Sequence, residues 1–232
     1  MMELRRSQDR GHVHNSWLNS WHSFSFGDYY DPRYIQFRAL RVINDDTVEP
    51  GQGFGMHGHR DMEIVSYVLE GTLAHKDTTG TRSIIRPGNV QRMSAGTGVQ
   101  HSEFNPSPTE KVHFLQIWLI PNITGVRPSY EERYFADAEK RGRLRLIASP
   151  DGAEDSVTIH SHGKIFAALV NADERVERTI PAHCSVYVHI ARGSVSLNGT
   201  ALLAGDAAII TDASSLTLDH GREAEVLVFE LQ

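Results

Sequence analysis

Three His-x-His pairs occur in this chain, His12/His14, His57/His59 and His160/His162, and thirteen histidines among 232 residues make chance pairs unsurprising. On a β-strand, residues i and i+2 face one way with Cα atoms roughly 6.5–7 Å apart, so two imidazoles can converge on one ion about 2 Å from each nitrogen. Further donors in a compatible frame separate a site from a coincidence. His12/His14 is followed by Asn15 and Ser16 with no carboxylate in frame, and Phe166 stands four residues beyond His162. Both pairs read as solvated histidines. The middle pair differs, because Glu63 follows His59 by four residues, at the same parity on a continuous strand, and a second segment supplies His101 and Glu103, again i and i+2. Three imidazoles with one or two carboxylates, carried on neighbouring strands, can clamp one divalent ion from rigid backbone.

The elements that must position these donors are strands. Period-two alternation and short β-branched or aromatic runs, closed by Gly, Pro, Asn or Asp, recur at 23–30, 35–44, 63–71, 72–77, 81–88, 112–121, 185–193 and 225–231. The chain is therefore expected to be all-β, with one short exposed helix at 136–143 near the midpoint. The two halves are similar: a strand, a glycine turn and a second strand occur at 67–77 and again at 189–199, and glycine followed by a half-apolar strand occurs at 86–94 and 203–211. A degenerate tandem repeat follows, with units at 1–134 and 135–232, each curling to bury one face. Aligning Gly71 with Gly193 puts Thr179, Pro181 and Ser185 where the first half has His57, His59 and Glu63. The counterpart of His101 is Leu218 or Leu216. The second half has no strong ligand at any of these positions, so one metal per chain is expected.

Composition closes other possibilities. Lys and Arg number 23 against 29 Asp and Glu, a net charge of −6, and no basic run exists to track phosphates, so direct nucleic-acid binding is not expected. The longest apolar stretch, 112–121, is far short of the ~20 residues a membrane helix needs. Charged residues fill the opening of the chain, with no apolar run of a secretory signal, so a cytoplasmic location is expected. The one cysteine, Cys184, alternates with apolar residues and reads as a buried strand thiol. Trp17, Trp21, Phe24, Phe26, Tyr29 and Tyr30 read as core packing rather than as a ligand pocket.

Gly51, His57, His59, Glu63 and Gly71 fit the first motif of the cupin superfamily, and Gly88, Gly96, His101 and Asn105 resemble its second, with Ser94 at the usual proline and two extra residues before the histidine. Those departures, with the segments 10–32, 41–46, 57–71 and 94–103, resemble the pirin family of bicupins, including bacterial quercetin 2,3-dioxygenases. The resemblance is specific over about residues 10–121. It implies two double-stranded β-helix (jelly-roll) barrels in tandem and the ligand set His57, His59, His101 and Glu103, with Glu63 as the alternative ligand or a group that orients a histidine. Three neutral imidazoles and one carboxylate leave a divalent ion a net charge of about +1 and open positions. Such a set suits Fe(II), with Mn, Ni, Cu and Zn as alternatives. The implied reaction is opening of a flavonol heterocycle by O2, with Glu103 accepting the substrate's hydroxyl proton. The alternatives are a metal-dependent regulatory factor that binds a protein partner, for which the sequence carries no motif, and an isomerase-type, sugar-binding or inactive cupin.

Overall fold

A computed structural model describes residues 1–232. Its strands are β1 (Met2–Arg5), β2 (Gly11–His14), β3 (Leu18–His22), β4 (Leu40–Val48), β5 (Gly53–His59), β6 (Glu63–Glu70), β7 (Leu73–Asp77), β8 (Arg82–Ile85), β9 (Asn89–Ser94), β10 (Val99–Phe104), β11 (Val112–Leu119), β12 (Ser129–Tyr134), β13 (Arg145–Ser149), β14 (Val157–Thr158), β15 (Gly163–Val170), β16 (Val176–Thr179), β17 (Ser185–Leu197), β18 (Thr200–Leu203), β19 (Ala207–Ile210) and β20 (Ser215–Leu231). The helix expected near the midpoint is one turn, α1 (Asp137–Lys140). No helix is long and apolar enough to cross a membrane. Two of the expected strands differ. Residues 23–30 form a tight turn in which Phe26 and Tyr29 bridge around Gly27, and β4 starts only at Leu40, after a left-handed turn at Arg38.

The chain forms two compact units. One comprises Gly11–Tyr134 with Val157–Ser161, the other Met1–Arg10, Phe135–Ser156 and His162–Gln232. The halves 1–134 and 135–232 thus differ from the spatial units at two places. β1 pairs with β19, Met2 opposite Ile210 and Arg5 opposite Ala207, which carries the first ten residues into the second unit. Local periodicity reports a strand's faces but not which distant edge it pairs with.

The first unit packs a four-stranded sheet, β5-β10-β7-β8, against a seven-stranded sheet, β12-β9-β6-β11-β4-β3-β2. A buried polar row crosses the larger sheet at one level: His22 opposite Asn44, Asn44 opposite Gln116, Gln116 opposite Ser66 and Ser66 opposite Gln91. Apolar residues bracket it two positions away, Ile64 and Val68 on β6, Phe114 on β11 and Met93 on β9, and these belong to two separate hydrophobic clusters. Because side chains alternate along each strand, one polar position per strand at a common level makes a polar layer between two apolar ones. In the second unit the interior is apolar, with Val186, Val188, Ile190, Leu216, Leu218, Val226 and Val228 in one buried cluster. Leu216 and Leu218, the counterparts of His101, lie within it. Cys184 departs from expectation: it is half-buried and precedes β17 rather than lying in it.

Candidate metal centre

The histidine pairs meet because β5 and β10 are antiparallel neighbours, with His101 opposite His57 and Val99 opposite His59. Gly53 permits this approach. A Cβ there would stand 2.3 Å from the Glu103 carbonyl oxygen and 2.6 Å from Phe104 Cα. Between His101 and Glu103 the register slips, so Glu103 faces Phe54 rather than Gly55. The extra residue in β5 is a bulge, a device that re-aims side chains at barrel rims. On the other side of β10, Asp77 lies opposite His101 and His75 opposite Glu103. One face of the small sheet therefore carries His57, His59, His101, Glu103, His75 and Asp77.

The three imidazoles predicted as ligands converge. Ring centroids are 4.8 Å apart for His57–His59, 4.5 Å for His57–His101 and 4.9 Å for His59–His101. The Nε2 atoms of His59 and His101 stand 3.0 Å apart. Two nitrogens each about 2.1 Å from one ion have about this separation when they subtend roughly a right angle at it, so the pair is a fitting bite for a cation. His57 Nδ1 donates to the Gly55 carbonyl at 2.7 Å, which fixes its tautomer and leaves Nε2 as a lone-pair donor. Burial, then the neighbouring His57, lowers the His59 pKa to about 4. The same two causes, with His59 and His75 adding, lower His101 to about 2. At neutral pH both are uncharged and able to ligate.

Glu103 sits at the edge of this cluster. Donor atoms of His57, His59 and His101 lie within 4.8 Å of one another, as do those of His75, His101 and Glu103, with His101 common to both groups. The carboxyl is 2% exposed, accepts from Ser66 Oγ at 3.0 Å and accepts from the Gln116 amide. Burial raises its pKa to about 7 despite these two bonds. The polar row of the larger sheet is thus the seat of Glu103.

Glu63 is placed elsewhere. β5 ends at His59, Asp61 takes a left-handed turn, and Glu63 opens β6 in the other sheet. Its carboxyl accepts from Ser94 Oγ at 2.9 Å and from the His160 backbone N–H at 3.0 Å. A shared face with His59 would require one unbroken strand from His59 to Glu63, and the turn at Asp61 breaks it. His160 therefore contributes a backbone N–H to Glu63, while His12 stacks on Trp21 at 3.7 Å and bonds Asn19.

Sequence reasoning passed over His75. It is buried, its Nε2 donates to Asp77 Oδ2 at 2.9 Å, and its Nδ1 accepts from the Gln91 amide at 3.2 Å. Both nitrogens are engaged, so His75 buttresses His101 rather than competing for an ion. The alternation of Leu73, His75 and Asp77 along β7 was the available signal.

A cavity of about 250 Å³ opens over His57, His59 and Glu103. Its walls include Phe26, Phe54 and Trp118, with Trp118 edge-on to both His59 and Phe26 at 4.9 and 5.4 Å. Phe26, expected in the core, is a cavity wall. Phe24 is the core residue, 1% exposed.

The chain matches a family described as Pirin over residues 3–119 and one described as the quercetinase C-terminal cupin domain over 146–231. It is 42% identical over its whole length to a quercetin 2,3-dioxygenase of Escherichia coli (strain K12), of which it covers 99%. The crystal structure of bacterial pirin YhhW from Escherichia coli in complex with nickel(II) is similar with a TM-score of 0.94 and 43% identity, over 100% of this chain and 99% of that one. A quercetin 2,3-dioxygenase from Acinetobacter baumannii shares the fold, with a TM-score of 0.76 at 20% identity over 99% of this chain and 85% of that one.

Proposed function

The chain belongs to the pirin family, with two cupin domains in tandem, and on that premise we propose that it is a metal-dependent dioxygenase that opens the heterocycle of a flavonol such as quercetin. The observation that carries this reading is the convergence of three imidazoles beside a buried carboxyl at the base of a cavity walled in part by Phe26, Phe54 and Trp118. Support for a divalent ion comes from the His59–His101 bite and from the nickel(II) complex of a relative at 43% identity. In this reading His57, His59, His101 and Glu103 hold the ion. When bound, it supplies Lewis acidity toward a 3-hydroxy-4-keto edge and, as Fe(II), reactivity toward O2, with Mn, Ni, Cu or Zn as alternatives.

The protein's own groups do the rest. Glu103 is the group placed to accept the substrate's hydroxyl proton, and Ser66 and Gln116 stabilise its charged form by hydrogen bonding. Phe26, Phe54 and Trp118 offer flat apolar surface to a planar ligand and exclude water from the reacting edge. Overall, one O2 adds across the heterocycle and one carbon monoxide leaves. The test is oxygen uptake by Fe(II)-loaded protein with quercetin under air. Wild-type protein consumes O2 in proportion to flavonol, and His101→Ala loses both its metal and this uptake. Full turnover by the variant rejects the site, and no uptake by loaded wild-type protein rejects the reaction.

A further inference from the structure

The strand β4 contributes two side chains to the cavity that the site described above does not use. Asn44 and Asp46 are i and i+2, so they face one way, and they are 4% and 3% exposed. Both line the same cavity as His57, His59 and Glu103. Ser20 of β3 bonds one oxygen of Asp46, but Asp46 Oδ1 has no hydrogen-bond partner, and neither has Asn44 Oδ1. Buried acceptors without partners are rare, because each forfeits its hydration and receives nothing for it. Two of them on one strand, bordering one cavity whose walls also include Phe26, Phe54 and Trp118, mark a place where a ligand brings donors.

We propose that Asn44 and Asp46 form a hydroxyl-recognition ridge, accepting hydrogen bonds from phenolic hydroxyls of a polyhydroxylated aromatic substrate and so selecting it over the deoxy analogue. The inference rests on reading the cavity as a flavonol site and adds to it the residues that set specificity. The ligand's chelating edge is common to all flavonols and cannot distinguish them. Its remaining hydroxyls can, if the protein has acceptors to meet them. A site built to bond a hydroxyl rejects the analogue lacking it, because its own polar groups are then left unpaired.

The experiment compares quercetin with 3-hydroxyflavone, which share the 3-hydroxy-4-keto edge and differ in the other hydroxyls, by anaerobic equilibrium binding to nickel-loaded protein. Wild-type protein binds quercetin more tightly, and Asp46→Ala and Asn44→Ala each reduce that preference by roughly three- to tenfold with nickel content unchanged. Asp46→Asn, which keeps an acceptor oxygen, retains most of it. An unchanged preference in both alanine variants, or no preference in the wild type, overturns the proposal. Should an alanine variant fail to fold, removing the hydroxyls one at a time against wild-type protein decides: affinity must fall at particular hydroxyls, and a flat series overturns it. Preferential binding with the expected losses but no oxygen uptake would reject the dioxygenase reading and leave the recognition ridge standing.

Discussion

Replacing Ser66 by alanine isolates what the larger sheet does for the carboxyl beneath the metal centre. Ser66 is fully buried, and its hydroxyl lies 3.0 Å from Glu103 Oε1 and 3.1 Å from Gln116 Oε1. A hydrogen bond to a charged group contributes about 1.5–3 kcal/mol, and one pKa unit corresponds to about 1.36 kcal/mol, so losing this bond should raise Glu103 by roughly 1–2 units above its value of about 7. Metal uptake requires the carboxylate form and expels whatever proton it carries. At pH 7 Glu103 is about half protonated in the wild type and more than roughly nine-tenths protonated in Ser66→Ala. The variant should therefore release about 0.4–0.5 more proton per ion, with the excess largest near pH 8 and vanishing near pH 5, where both proteins are fully protonated at this site. Titration with nickel(II) in buffers of different ionisation enthalpy measures proton release directly, and contributions from the histidines cancel between the two proteins. Equal release across pH 6–9 would refute the reasoning, by showing either that Glu103 stays outside the ion's coordination or that Ser66 does not stabilise its charge.

Three further outcomes follow from the same geometry. Gly53→Ala should push β5 away from β10, lowering stability by about 1–3 kcal/mol and weakening metal binding. Gly55→Ala, where a Cβ meets nothing within 4 Å, serves as the control, and thermal unfolding with and without metal compares them. Glu103→Gln should reduce nickel retained after dialysis whereas Glu63→Gln should not, and elemental analysis that reverses this order would place Glu63 in the ligand set. Burial holds the Asp46 pKa near 7, above its unfolded value of 3.8, so the folded state binds the extra proton and this group's contribution to stability is lost as pH rises from about 4 through 7. Asp46→Asn removes that dependence, and metal-free variant protein should gain on wild type by about 1 kcal/mol per pH unit over this window, with no further gain above it. Urea unfolding at several pH values checks this, and a pH-independent difference contradicts it.

The strand class, the tandem similarity and the candidate donors were all legible in the sequence. His57/His59 and His101/Glu103 were legible because i, i+2 spacing fixes a common face on any strand, and the leucines at 216 and 218 marked an apolar interior in the second unit. Those are consequences of local geometry, which a strand carries wherever it is placed. Tertiary structure decided everything that depends on pairing and register. The turn at Asp61 sent Glu63 into another sheet, pairing with β19 moved the first strand into the second unit, and antiparallel register set His75 opposite Glu103. The row His22, Asn44, Gln116, Ser66 and Gln91 spans five strands drawn from positions 22 to 116, so no window of sequence contains it. Hydrogen bonding between strands brings such residues to one level, and that alignment supplies the support under Glu103 and places Asn44 beside the cavity.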